Sequence, residues 1–196
     1  DRARSFTGVL ASGRTGRIDA RIDGTDAELE HPRGRFVSGN YFSVLGVSAL
    51  AGRVFDGSED QSVGDAPVAI ISYGYWTRRF HNDRSAIGRV ILVNGTRITI
   101  VGVAARTFTG EIVGASPDIW LPASMHDALY PNLRLLDDRG SSWLLLLGRL
   151  APGVTLTQAK RELEPLITQS IVANAPGNGG RAFLEGKPKS YISSGA

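Results

Sequence analysis

The stretch VILVNGTRITIVGV, Val90 to Val103, sets two β-branched runs on either side of Asn94-Gly95. Both turn residues tolerate the positive φ of a two-residue type I′ turn, so this spacing predicts an antiparallel hairpin, Val90–Val93 against Arg97–Val103. On its N-terminal side, Pro67 to Ser72 is a short apolar run of strand type carrying Val68, Ile70 and Ile71. Ser72 then stands as an N-cap for a helix whose Trp76 and Phe80 lie one turn apart on one face. On the C-terminal side, Pro117 to Leu121 is another apolar stretch, ended by Pro122.

Strands continue toward the N-terminus. Ile18, Ala20 and Ile22 alternate with charged residues, Asp23-Gly24 offers a turn, and Ala27 and Leu29 alternate again. This predicts a hairpin with one wet face. Ser38 or Asn40 is placed to cap a short helix, Tyr41 to Leu45, stopped by Gly46. The last third differs. Trp143 to Arg149 predicts an apolar strand covered on both faces. Thr155-Leu156-Thr157-Gln158 is a capping box, opening a helix with the stripe Leu156, Ala159, Leu163, Leu166 and Ile167. Pro165 inside it predicts a kink or a break. Ala175 to Gly180 reads as a loop, and Phe183 to Ile192 as a returning strand. The pattern as a whole is α+β with mixed strands and about three helices.

Composition bounds the function classes. With 196 residues, 42% of them hydrophobic and 21% charged, the chain suffices for one compact unit or two connected lobes with a real core. No apolar run approaches the ~20 residues of a membrane span. The absence of cysteine excludes disulfides, thiolate metal sites and a cysteine nucleophile, and leaves the compartment open. The net charge of +3 arises from 22 Lys+Arg against 19 Asp+Glu, and nineteen of the bases are Arg, spread from Arg2 to Arg181 without concentrating. This dispersal argues against a nucleic-acid partner. The chain opens on Asp1 without a Met, which suggests a piece of something longer.

Sites of chemistry are sparse. His31, His81 and His126 are far apart in sequence and lack ligand spacing, so they read as surface or capping histidines, and no metal is expected. Asp56, Glu59 and Asp60 lack the alternation of a calcium loop and read as a solvated acidic loop. Ser72 sits in no nucleophile elbow. Asp137-Asp138 are adjacent residues whose side chains point apart, which makes a solvated loop the better reading than a carboxylate pair. Gly177, Gly179 and Ala182 match G-x-G-x-x-A without a preceding strand, and Gly186-Lys187 runs into Pro188, so no phosphate loop is expected. Asn94-Gly95-Thr96 is formally a glycosylation sequon, better explained by the turn. No catalytic, cofactor-binding or metal-binding residue is assigned.

The blocks between these failed motifs carry a resemblance. Val37-Ser38-Gly39-Asn40-Tyr41-Phe42-Ser43-Val44-Leu45-Gly46-Val47, then Ala51-Gly52-Arg53-Val54-Phe55, resembles the opening of the MacB-like periplasmic core domain. Val68 to Phe80, with Ser72-Tyr73-Gly74-Tyr75-Trp76 and Arg78-Arg79-Phe80, follows in that family's order. So do Ile87-Gly88-Arg89, the Asn94-Gly95 hairpin, Ile100-Val101-Gly102-Val103-Ala104, Asp118-Ile119-Trp120-Leu121-Pro122, and Gly148-Arg149-Leu150-Ala151-Pro152-Gly153-Val154 with Gln158-Ala159. The likeness covers roughly residues 35 to 170. These motifs specify a fold, and none transfers as catalytic.

The resemblance implies a periplasmic, extracytoplasmic domain of an ABC-transporter permease, lying between a first transmembrane helix and three more. It implies two lobes: a porter-like lobe over 1–50 and 141–196, and a smaller mixed lobe inserted over 51–140. It further implies a permease dimer, a cytoplasmic ATPase supplied by a separate or fused domain, and a periplasmic adaptor. Family members export macrolides, peptides or toxins. Met125 and Leu129-Tyr130-Pro131 after Trp120-Leu121-Pro122 look closest to the orphan permeases without a fused ATPase. The expected role is a non-enzymatic module that transmits conformational change and contacts partners or cargo. The alternative is a sensor module gripping a small molecule between the lobes.

Overall fold

The computed structural model describes residues 4–24, 26–138 and 141–174. Among them the chain forms ten strands: β1 (Phe6–Gly13), β2 (Gly16–Arg17), β3 (Ala20–Ile22), β4 (Arg33–Val37), β5 (Ala49–Gly52), β6 (Val68–Ile71), β7 (Val90–Val93), β8 (Thr96–Ala104), β9 (Ile119–Pro122) and β10 (Leu144–Leu150). The α-helices are α1 (Tyr41–Leu45), α2 (Tyr73–Phe80), α3 (His126–Leu129) and α4 (Leu156–Asn174). The sheet runs β10-β1-β4-β9-β6-β8-β7-β3, with β2 beside β4 and β5 beside β8. It is mixed: β4 with β9 and β6 with β8 are parallel, while β7 with β8 and β6 with β9 are antiparallel. The α+β class with a mixed sheet is therefore the one expected.

Packing divides the chain into two units, Leu10–Leu136 with Trp143–Leu147, and Asp1–Val9 with Asp137–Ser142 and Gly148–Ala196. The first holds most of the sheet, and its strands alternate side chains between two cores. Phe36, Ala69, Ile71, Ile119 and Leu121 enter one core with Trp76 and Phe80 of α2. Val37, Ile70 and Trp120 enter the other with Tyr41 and Phe42 of α1. A sheet covered on both faces explains why β6 and β9 read as continuous apolar runs.

Local signals act as the residue types require. Asn94 (φ 48°) and Gly95 (φ 84°) make the β7–β8 turn. The Ser72 hydroxyl accepts from the Tyr75 N–H at 3.0 Å and starts α2. Gly46 ends α1 at φ 72°. Ser38, however, does not cap α1. Its hydroxyl donates to the Asn40 side chain and accepts from the Ala11 N–H at 2.9 Å, which ties β1 to the helix entry.

In the second unit Thr155 and Gln158 form the expected reciprocal box, with the Thr155 N–H to Gln158 Oε1 at 2.8 Å and the Gln158 N–H to Thr155 Oγ1 at 3.3 Å. Ala159 is fully buried. The Glu162 carboxylate, one turn on, accepts the N–H groups of Arg4 and Ser5.

Several expectations are corrected. β3 takes β7 as its strand partner, and only an isolated bridge, Ala20 to Glu30, joins it to the following segment. Ala20 exchanges both backbone hydrogen bonds with Glu30, and the Ile18 N–H donates to the Pro32 carbonyl, so the contact falls at 18–20 against 30–32, and Leu29 is left exposed. β10 is not covered on both faces: Leu145 and Leu146 are 50% and 67% exposed, as befits a strand at the end of the sheet order. Pro165 does not break α4, whose 19 residues keep the rest of their ladder around one missing donor on an exposed side. The acidic loop is not simply solvated. Glu59 is buried, pairs with Arg53 at 2.6 Å and accepts the Asp56 N–H, while Asp60 accepts the Gly39 N–H. The predicted loop at 175–180 and strand at 183–192 lie outside the described residues.

Candidate functional site

Alternation along β4 sends Arg35 into the core that holds Trp120, its direct partner across β4 and β9. Arg35 is 1% exposed. Its Nε donates to Thr15 Oγ1 at 2.7 Å, and its guanidinium forms an ion pair with Glu111 from the loop at 105–117. The same carboxylate accepts the Ser12 hydroxyl at 2.5 Å and the Tyr41 hydroxyl. Burial pushes the Glu111 carboxyl up, but the hydrogen bonds from Ser12 and Tyr41 outweigh it and hold the group below the usual carboxylate range. Burial, reinforced by Glu111, pushes the Tyr41 phenol well above its ordinary value. This node balances its charges internally. It fastens the 105–117 loop to β1, β4 and α1.

The second polar site is open. A cleft of about 540 Å³ on the same unit is lined by Arg17, Glu30, His31, Pro32, Arg33, Tyr75, Arg78, Arg79 and Asp118. β2 and β4 bring Arg17 and Arg33 directly opposite each other. α2 supplies Tyr75, Arg78 and Arg79, and Asp118 stands immediately before β9. Arg78 pairs with Asp118 at 2.7 Å, and the other oxygen of Asp118 accepts the Arg33 N–H at 2.9 Å. Arg79 pairs with Glu30, which also accepts the Tyr75 hydroxyl at 3.4 Å. Burial, with Glu30 close by, pushes the Tyr75 phenol up.

The residues weighed from the sequence do not converge. His31 sits 2.9 Å from Asp19 on the surface, His81 terminates α2 at φ 50°, and His126 is buried among Phe36, Tyr130 and Trp143. Among the described residues no group of three or more His, Asp or Glu side chains is arranged to hold a metal. Asn94 uses its side chain structurally: Oδ1 accepts the Asp19 N–H at 3.0 Å and Nδ2 donates to the Leu129 carbonyl. Asp137 and Asp138 belong to the other unit. Gly177, Gly179, Ala182, Gly186 and Lys187 lie outside the described residues. Glu111 and the cleft arginines escaped the sequence reading because their partners are distant in the chain, Glu111 standing 76 positions from Arg35.

The family model for the MacB-like periplasmic core domain matches residues 3–166. The chain belongs to that family. MacB-type relatives include the macrolide export ATP-binding/permease protein MacB of Salmonella paratyphi A, 31% identical over 136 residues, which are 67% of this chain and 19% of the relative. The probable export ATP-binding/permease protein MacB of Pseudomonas entomophila is 34% identical over 133 residues, 68% of this chain and 19% of the relative. The chain thus spans about a fifth of the length of these curated relatives.

Solved structures agree on the fold of the MacB-like domain. The periplasmic region of MacB from Actinobacillus actinomycetemcomitans superposes with a TM-score of 0.61 at 14% identity, over 85% of this chain and 68% of that one. The extracellular domain of the transporter YknZ from Gram-positive bacteria gives 0.62 at 15% identity, over 85% and 77%. The MacB-like family is a permease periplasmic domain and is not itself catalytic. No helix among the described residues is long and apolar enough to cross a membrane.

Proposed function

We propose that this chain is the periplasmic domain of an ABC-transporter permease that carries conformational change from the membrane to partner proteins or cargo outside it. The match of the family model over residues 3–166 is the observation that carries this reading. The physical support is stiffness. Within the larger unit, the central strands are packed on both faces, and with Arg35 and Glu111 locked inside one core they move as a body instead of deforming. The full-length protein works as a dimer with a cytoplasmic ATPase, on this chain or another, and with a periplasmic adaptor. By analogy with the macrolide exporters among its relatives, its cargo is an exported molecule.

The test uses the full-length permease, reconstituted in lipid with its ATPase. A spin label at Val113, a fully exposed residue, reports distances between protomers. Distances that change between resting and hydrolysis-trapped states support the reading, and identical distances overturn it. The lobes belong to the same proposal, porter-like over 1–50 and 141–196 with 51–140 inserted. Limited proteolysis is then expected to cut first near residues 50 and 141. First cuts near 9 and 137 would move the border to that of the packed units.

A further inference from the structure

The arginine-lined cleft holds an imbalance that folding does not explain. Of its four arginines, Arg78 is neutralised by Asp118 and Arg79 by Glu30. Arg17 and Arg33 have no carboxylate partner among the described residues, yet they stand directly opposite each other across β2 and β4. Like charges at opposed positions of a strand pair destabilise it. Arg17 spends one nitrogen on the His31 carbonyl at 3.0 Å, and the Arg33 guanidinium makes no hydrogen bond with the described residues. Arg17 and Arg33 therefore line one open cleft that carries about two uncompensated positive charges.

We propose that this cleft binds a phosphate group, held by Arg17 and Arg33 with Arg78 flanking it. A phosphate presents several acceptor oxygens in a tetrahedral array, so it takes a fork from each side, and its one to two negative charges match the excess. A carboxylate brings one charge and a single plane of acceptors, and the cleft already contains two. The phosphate has two possible sources, a soluble phosphomonoester or the headgroup of an anionic lipid. The inference is independent of the transport reading: it concerns what this face binds, whether or not the domain moves during export.

The experiment uses the full 196-residue chain at low ionic strength, titrated calorimetrically with inorganic phosphate and with glycerol 3-phosphate, and sedimented with phosphatidylglycerol and phosphatidylcholine vesicles. Saturable binding of phosphate or glycerol 3-phosphate is expected, weakened about tenfold or more in Arg33→Gln and lost in Arg17→Gln/Arg33→Gln. Arg33→Lys, which keeps the charge and loses the fork, should fall between. Arg84→Gln, at an exposed arginine outside the cleft, should bind as the parent does. Thermal melts establish that the variants are folded; the unengaged Arg33 side chain makes Arg33→Gln the safest of them.

Binding to phosphatidylglycerol vesicles with the same arginine dependence identifies a lipid headgroup as the source. Binding to the soluble phosphates alone identifies a soluble one. The proposal is overturned if no saturable binding occurs, if acetate or succinate binds as tightly as phosphate, or if binding survives loss of both Arg17 and Arg33.

Discussion

Gly52 and Gly102 stand directly opposite each other across β5 and β8, and neither has room for a methyl group. A Cβ on Gly102 would fall 1.9 Å from the Arg53 carbonyl oxygen, and one on Gly52 would fall 2.2 Å from the Val101 oxygen. The obstacle in each case is backbone, which cannot swing aside. Gly102→Ala is expected to destabilise the chain by about 3 kcal/mol, seen as a lower urea midpoint. Gly46→Ala is the contrast. That site is open and the cost is only the left-handed backbone at φ 72°, about 1 kcal/mol. Equal losses at the two sites would show that crowding is not what the glycine relieves.

Arg35 and Glu111 make a pair whose halves depend on each other. Glu111→Ala strands a buried guanidinium and is expected to cost about 3–5 kcal/mol, whereas Arg35→Met with Glu111→Leu should cost clearly less than the sum of the single changes. A double-mutant cycle by urea unfolding measures the coupling. Additive losses would contradict the buried pair.

The same node sets an acid limit. Glu111 is held below its ordinary value in the folded state, so its contribution is fully present above the unfolded carboxyl's pKa, about 4.3, and fades as the pH falls through the folded one. Stability should therefore drop below about pH 4, and Glu111→Gln should flatten that part of the profile while lowering the plateau. An unchanged acid limb in Glu111→Gln would place the sensitivity elsewhere.

Alkaline pH acts in the opposite direction through Tyr41 and Tyr75. Both phenols are raised by burial, so the stability they contribute is complete below the unfolded pKa of about 10 and is lost as the pH climbs toward the folded values. In an ultraviolet titration these two tyrosines should ionise only with or after unfolding. Tyr41→Phe should remove one such late phenol and cost about 1–3 kcal/mol, because Glu111 loses a donor.

A smaller effect checks α4. Thr155→Ala breaks the box with Gln158 and should cost about 1 kcal/mol, read as earlier thermal unfolding, with helix content otherwise retained.

What the sequence determined by itself was local. The Asn94-Gly95 turn, the Ser72 cap, the Gly46 stop and the Thr155–Gln158 box depend on neighbours within a few residues, where conformational preference and a single hydrogen bond decide. The ordered motif blocks carried the family for the same reason, being strings of such local solutions. What only the tertiary structure decided was pairing at a distance: β3 with β7, Glu111 with Arg35, Arg17 opposite Arg33, and the burial of Glu59. An isolated acid or arginine reads as a solvated charge until the sheet order brings its partner to it. The energy that buries a charge or crowds two together comes from the whole packed unit, and no short stretch of chain contains it.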